Sequence, residues 1–299
     1  MISNLKPAAE AFLANMDRVQ RSMADASQQT SSGLRVNSAS DAPDEIDSIL
    51  QIRTDVSHNG QVQSNLALAK SDADAADGAL SGAIKLLDRA RVLGAQASNF
   101  TLDANGRTSI ANEVESLLDQ MVAISRTTVQ SRFIFGGDQE NALPYQVDLT
   151  APDGVTRLTT AAATRRIEDP AGGSFAAGKT AAEIFDAPGS SAFAALNSLR
   201  TALLNNDSAG IAAADGSIRA AGEHLGTSQG FYGSVLSRIQ DAVNFGQGYD
   251  VRLKTELSQK VDADLVAAAL TLTQGNIQLQ AAFQVQAKMP RTSLFDFLG

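Results

Sequence analysis

Leu5-Lys-Pro-Ala-Ala-Glu-Ala-Phe-Leu-Ala-Asn-Met-Asp-Arg-Val-Gln-Arg-Ser-Met-Ala-Asp-Ala-Ser-Gln-Gln-Thr30 carries apolar or small residues at Leu5, Ala9, Phe12, Met16, Val19, Met23, Ala26 and Thr30. Those steps of four and three are the a/d spacing of a helix that packs along one seam. The other end of the chain repeats the pattern at Leu257, Val261, Leu265, Ala268, Leu272, Gly275, Leu279 and Ala282. Small residues interrupt both seams, so neither helix buries enough alone to offset the entropy of ordering it. The two ends are therefore expected to form a terminal coiled pair, Phe12, Met16, Val19 and Met23 against Leu265, Leu272 and Leu279, and to assemble with neighbouring copies.

Between the ends lies a second helical pattern. Ile46, Ile49, Ile52 and Val56 lead, after a phase slip, into Val62, Leu66, Ala69, Ala73, Ala76, Leu80, Ala83, Leu87, Ala90, Gly94 and Ala97, which predicts one helix of about fifty residues. An Asn-Gly at Asn105-Gly106 punctuates a short turn, and Ile110, Val114, Leu117, Met121, Ile124 and Thr128 continue as an antiparallel helix. Helical period returns at Phe193, Leu196, Leu199 and Leu203, and again from Ile211 through Ile218, Leu225, Tyr232 and Ile239 to Ala242. Gly246-Gln-Gly-Tyr249 is expected to break or kink the path before the last helix.

The segment from about 138 to 191 is different: it has no helical period and holds four of the seven prolines, Pro144, Pro152, Pro170 and Pro188. Arg132-Phe-Ile-Phe135, just before it, reads as a strand turning out of the helices, and Tyr145–Leu149, Val155–Thr159 and Arg166–Glu168 as short strands within it. The expected fold is mainly α: an elongated helical rod of long antiparallel helices, with terminal coiled-coil helices and a small β-rich inserted domain. Its divisions are an N-terminal assembly helix (1–42), rod helices (43–137 and 193–250), the insertion (138–192) and a C-terminal assembly helix (251–299).

Composition narrows the function classes. A net charge of −9 argues against nucleic acid and anionic membrane surfaces as partners. With no cysteine, disulfides, thiolate metal sites and cysteine nucleophiles are excluded. The start has no charged n-region followed by an apolar run, so a cleavable signal peptide is not expected, nor is a membrane span. The two histidines, His58 and His224, read as solvated helix positions. Ser71-Asp-Ala-Asp-Ala-Ala-Asp-Gly78 has the wrong acid spacing for a calcium loop and reads as the polar face of a helix. Asn99-Phe-Thr101 and Asn206-Asp-Ser208 match the glycosylation acceptor pattern but read as loop residues. No catalytic, cofactor or metal residues emerge, and an enzyme on a helical scaffold is the disfavoured alternative.

One stretch carries a family likeness. Gln28-Gln-Thr-Ser-Ser-Gly-Leu-Arg-Val-Asn-Ser-Ala-Ser-Asp-Ala-Pro43 resembles the N-terminal signature of bacterial flagellins and their relatives, and Leu87–Ala97 is similar to that family's next helical motif, with Val92 where an acid is usual. Arg132-Phe-Ile-Phe-Gly-Gly-Asp-Gln139 and the ending Ser293-Leu-Phe-Asp-Phe-Leu298 are similar to the hook–filament junction branch of the family. The resemblance implies a non-enzymatic adaptor, exported unfolded by the flagellar type III apparatus to the extracellular flagellum. There it would join a hook-side junction protein to flagellin, alongside copies of itself, after release from an export chaperone. The filament subunit, flagellin itself, is the alternative. It also implies an assembly role for Leu34, Arg35 and Asn37 of the signature, for Phe283, and for the apolar end Leu294, Phe295, Phe297 and Leu298.

Overall fold

The computed structural model describes residues 5–99 and 103–288. The described chain forms seven α-helices: α1 (Leu5–Ser32), α2 (Ile46–Ala97), α3 (Ala104–Ser125), α4 (Ala181–Phe185), α5 (Ala192–Leu204), α6 (Ser208–Val261) and α7 (Leu265–Lys288). Six short strands form three antiparallel pairs: β1 (Thr128–Val129) with β2 (Arg132–Phe133), β3 (Tyr145–Val147) with β4 (Val155–Arg157), and β5 (Arg166–Glu168) with β6 (Ser174–Ala176). The fold is mainly α with a small β-rich insertion, as the periodicities predict. It divides into two compact units: residues up to His58 together with those from Asp250 onward, and Asn59–Tyr249.

The second unit is built on the small-residue seam of α2. Leu66, Ala73, Leu80, Ala83 and Ala90 are completely buried, and they share a core with Val114, Leu118 and Met121 of α3, Leu196 and Leu199 of α5, and Ala221, Leu225 and Ile239 of α6. Alanine and glycine at the contacts let the helix axes approach closely. A β-carbon added at Gly94 would already touch Leu199 of α5 at 3.5 Å, and one at Gly82 would touch Ile124 of α3 at the same distance. Within this unit α6 runs antiparallel to α2, with Gly222 beside Leu87 and Gly246 beside Gln63.

The aromatic residues, scarce in the sequence, dock the insertion. Phe135 meets Phe185 edge-on at 5.4 Å and Tyr232 at 6.4 Å, while Phe193 stacks with Phe185 and tilts against Tyr145. Asp72, half-buried on α2, pairs with Arg132 at 3.3 Å and Arg165 at 3.2 Å, so one carboxylate ties two parts of the insertion to the helix. Gly154, at φ +74°, brings the loop after β3 against Asn197, whose amide donates to Pro152 O at 2.9 Å. A β-carbon at Gly154 would fall within 3.0 Å of Leu118 and Asn197.

Three local expectations are corrected. Helix α3 stops at Ser125 rather than running to Thr128, because a two-residue turn with Gln130 (φ 51°) and Ser131 (φ 63°) folds β1 onto β2. Helix α4, inside the stretch without helical period, is only five residues long; a capping box between Thr180 and Glu183 starts it. Gly246-Gln-Gly-Tyr249 does not interrupt α6, which is continuous for 54 residues. An interior glycine costs only about 1 kcal/mol relative to alanine, less than the burial of Ala242 and Leu253 on either side supplies. The break falls instead at residues 262–264, where Asp264 accepts from the backbone N–H groups of Val266 and Ala267 at 3.0 Å and caps α7.

One end of the second unit is fastened by Arg107. This residue is 8% exposed, and its guanidinium donates to Ala97 O at the C-terminus of α2 and to the side chain of Asn206, a left-handed residue (φ 55°) between α5 and α6. A cation there also suits the negative end of α2. Arg107→Leu should therefore destabilise the chain by about 2 kcal/mol, the range for hydrogen bonds to a charged group. Urea unfolding followed by tyrosine fluorescence would measure it, and an unchanged midpoint would remove Arg107 as a fastener.

Candidate assembly interface

Helices α1 and α7 pack against each other in the first unit. Their order is antiparallel: Leu34 bridges to Asp262, Ala26 and Ala268 line the same groove, and Met23 lies over Gly275. Continuing that register from Met23 and Gly275 sets Val19 level with Leu279 and Met16 level with Ala282. The structure thus brings Phe12, Met16, Val19 and Met23, all half-buried, to the same seam as Leu272 and Leu279. Leu265 departs from it and is 50% exposed, because α7 begins there and Ala268 is its first fully inward residue. Phe283 is also largely exposed.

The tightest point is Met23 on Gly275. A β-carbon at Gly275 would collide with Cγ of Met23 and lie 2.7 Å from its sulfur. Beside this contact runs an open groove of about 680 Å³, with Arg18, Arg21, Asp25 and Gln29 of α1 facing Thr271 of α7. Its lining is polar, and it forms one flank of the helix pair.

Residues 33–42 form a clasp at the base of the pair. Gly33, at φ +74°, ends α1 in the left-handed conformation that glycine adopts without strain. The chain then lies along the end of α6: Arg35 N–H donates to Val261 O at 2.7 Å, and Ala263 N–H donates back to Gly33 O at 2.9 Å. The Arg35 guanidinium donates to Glu45 at 2.9 Å and to the carbonyl of Lys260. Asn37 turns the chain by donating through its side chain to Leu34 O. Val36, Ala42, Ile49 and Val261 close a small core under it, with Leu34 and Leu257 packed alongside. Leu34, Arg35 and Asn37 are therefore engaged within the chain, with the Arg35 side chain still 41% exposed.

Asp41 completes the clasp. Its carboxylate accepts from the backbone N–H groups of Ser38 at 2.7 Å and Asn37 at 2.8 Å, and from the Ser38 hydroxyl at 2.8 Å. These donors, that of the Ser38 backbone first, hold the carboxyl below its ordinary value of 3.8.

The opposite side of α7 is unusual for a surface helix. From Leu265 to Ala287 it has no charged residue. Val266, Leu270 and Ile277, which share one face, are 81%, 56% and 61% exposed. No sequence pattern had separated this face from the seam, since both follow steps of three and four. Leu294, Phe295, Phe297 and Leu298 lie outside the described residues. Among the described residues no helix is long and apolar enough to cross a membrane, and no group of three or more histidine, aspartate or glutamate side chains is placed to hold a metal ion.

Comparison with known proteins finds a likeness to flagellar proteins, in sequence over part of the chain and in fold over most of it. Residues 2–139 match the bacterial flagellin N-terminal helical region. Flagellin from Clostridium tyrobutyricum is 33% identical over 128 residues, 43% of this chain and 34% of that protein, so the match spans about a third of the relative's length. The fold is shared with the flagellar hook associated protein-3 of Legionella pneumophila, with a TM-score of 0.63 at 14% identity, covering 71% of this chain and 98% of that one. It is shared as well with FlgL of Bacillus cereus, with a TM-score of 0.56 at 21% identity over 68% of this chain and 97% of that one. The signature at residues 28–43 lies inside the matched flagellin region, and the clasp is its physical content.

Two outcomes check this account. Gly275→Val should open the helix pair, because overpacking costs about 1–3 kcal/mol and outweighs the few tenths of a kcal/mol that valine gains over glycine in helix propensity. Amide exchange in α1 and α7 should then speed up, and Met23→Ala in the same chain should restore protection; exchange unaffected by the first substitution would refute the seating. Titration offers the second check. Since the folded value for Asp41 is depressed, its contribution is complete above the unfolded value near 3.9 and is lost as pH falls through the folded one. The amide shifts of Asn37 and Ser38 should titrate with a midpoint below 3.8, and a midpoint at or above it would contradict the clasp.

Proposed function

We propose that this protein is a non-enzymatic structural adaptor of the bacterial flagellum, joining a hook-side junction protein to the flagellin filament. The observation that carries the reading is the unfinished surface of α7: a helix uncharged from Leu265 to Ala287 with Val266, Leu270 and Ile277 in water, on a chain whose other unit is closed around its own core. Such a face gains stability when it is covered. The fold shared with hook-associated proteins supplies the setting for that cover.

In this reading the terminal pair assembles with copies of the same chain. Phe12, Met16, Val19, Met23, Leu272 and Leu279 hold each pair together, and Leu265, Phe283 and the apolar end Leu294, Phe295, Phe297 and Leu298 meet neighbours. The protein travels through the flagellar export apparatus, kept soluble by a chaperone, and acts outside the cell. A second reading, the filament subunit itself, draws on the identity with flagellin over 128 residues of the chain.

The two readings differ in where growth stops. A filament subunit must fit its own kind without limit, whereas an adaptor fits unlike neighbours at its two ends. Deleting the gene should leave hooks without filaments and release unpolymerised flagellin into the medium, and the purified protein should not form long filaments. Micrometre-long filaments of the protein alone, with no separate flagellin released by the deletion strain, would establish the second reading instead.

A further inference from the structure

Where the apolar core of the second unit runs out, α2 and α6 meet through polar groups. Above this level, Val62, Leu66, Ile239 and Ala242 continue the buried seam. At it, Asn59, only 3% exposed, donates through Nδ2 to Gly246 O at 3.0 Å, and Gln63 donates through Nε2 to Val243 O at 3.2 Å. Both acceptors are main-chain carbonyls inside a continuous helix, where each already faces the N–H four residues on. A side chain inserted into that ladder is a recognised cause of helix bending. Asn59 Oδ1 has no hydrogen-bond partner in the protein although it is buried.

Glycine placement supports the same reading. A β-carbon at Gly246 would collide with Gln63 Nε2, so the polar layer requires glycine there. At Gly60 and Gly248 a β-carbon would meet nothing within 4 Å, so packing does not explain glycine at either. Open glycines recur at Gly78 of α2 and at Gly226, Gly230 and Gly233 of α6, but the buried face of α6 there carries Leu225, Tyr232 and Val235, and its buried Ser228 hydroxyl makes no hydrogen bond in the protein. Residues 59–63 and 243–248 combine backbone freedom in both helices with hydrogen bonds between them.

We propose that this layer is a hinge built into the α2–α6 pair, the level at which the two helices bend and open while the apolar layers from Val62 and Ala242 inward stay closed. The inference is independent of the flagellar reading, since it rests on the internal contacts of one unit. Opening here exposes amide and carbonyl groups that water can satisfy, whereas opening at Leu66 or Ile239 exposes hydrocarbon.

Hydrogen–deuterium exchange of the full chain tests it. Amides of residues 243–250 should exchange at least ten-fold faster than those of residues 232–239. Replacing the polar layer in Asn59→Leu/Gln63→Leu should slow the 243–250 amides about ten-fold. Gly60→Ala/Gly248→Ala, which introduces no contact, should slow them in the same direction and guards against misfolding of the first variant. Equal protection of the two segments in the unaltered protein, or no slowing in the alanine variant, would overturn the hinge.

Discussion

The close approach permitted by the alanine and glycine seam of α2 is the constraint on which the rest depends. Because Ala69, Ala73, Ala76, Ala83 and Ala90 project so little, α3, α5 and α6 can each reach that helix, and larger residues from the partners fill the space. Packing a core from small residues on one helix and leucine or isoleucine on its neighbours satisfies density without wide side chains. The insertion follows from the same geometry. Its aromatic residues reach the helices through Phe135 and Phe185, and the ion pairs of Asp72 set its position along α2.

The clasp solves a different problem. Two helices that pack weakly need their ends brought together, and loop closure is least costly when the connecting chain is short and fixed. Residues 33–42 are held at one end by the backbone exchange between Gly33, Arg35 and residues 261–263, and at the other by the Asp41 carboxylate. A left-handed glycine, an asparagine that bonds its own turn and an aspartate that collects amide hydrogens each occupy a position that few other residue types fill. In this chain, then, the stretch at residues 33–42 within the region that matches flagellins joins helix ends.

The long helices were legible because burial imposes a period that no other constraint erases. Every apolar seam position from Val62 to Ala97 is buried in α2, and the seam of α1 is half-buried from Phe12 to Met23 and buried at Ala26. Legibility failed where a few local bonds outweigh periodicity. The end of α3 was set by two left-handed residues, Gln130 and Ser131, that carry no glycine signal. Helix α4 has too few residues to show a period, though Thr180-Ala-Ala-Glu183 was a capping signal in plain view. At Gly246 the glycine marked a close polar contact and not an end. The role of Leu34 and Arg35 inside the chain was hidden because they reach partners more than two hundred residues away, at Lys260, Val261 and Asp262.

The two units also settle differently with solvent, and that difference bears on how the molecule is used. Around the second unit, charges face water in ion pairs that join helices, Arg89 with Glu113, Arg91 with Asp215 and Arg200 with Glu115. Exposed pairs of this kind add little stability, but they keep a surface hydrated and resist indiscriminate contact. Helix α7 has no such dressing. It buries one side against α1 through residues as small as Gly275 and Ala268 and leaves apolar side chains on the other. A helix that gives little to its partner within the chain, and has no charge from Leu265 to Ala287 to hold it in water, gains stability from any partner that covers its apolar side, so under the proposed function folding of this unit and assembly of the protein are linked.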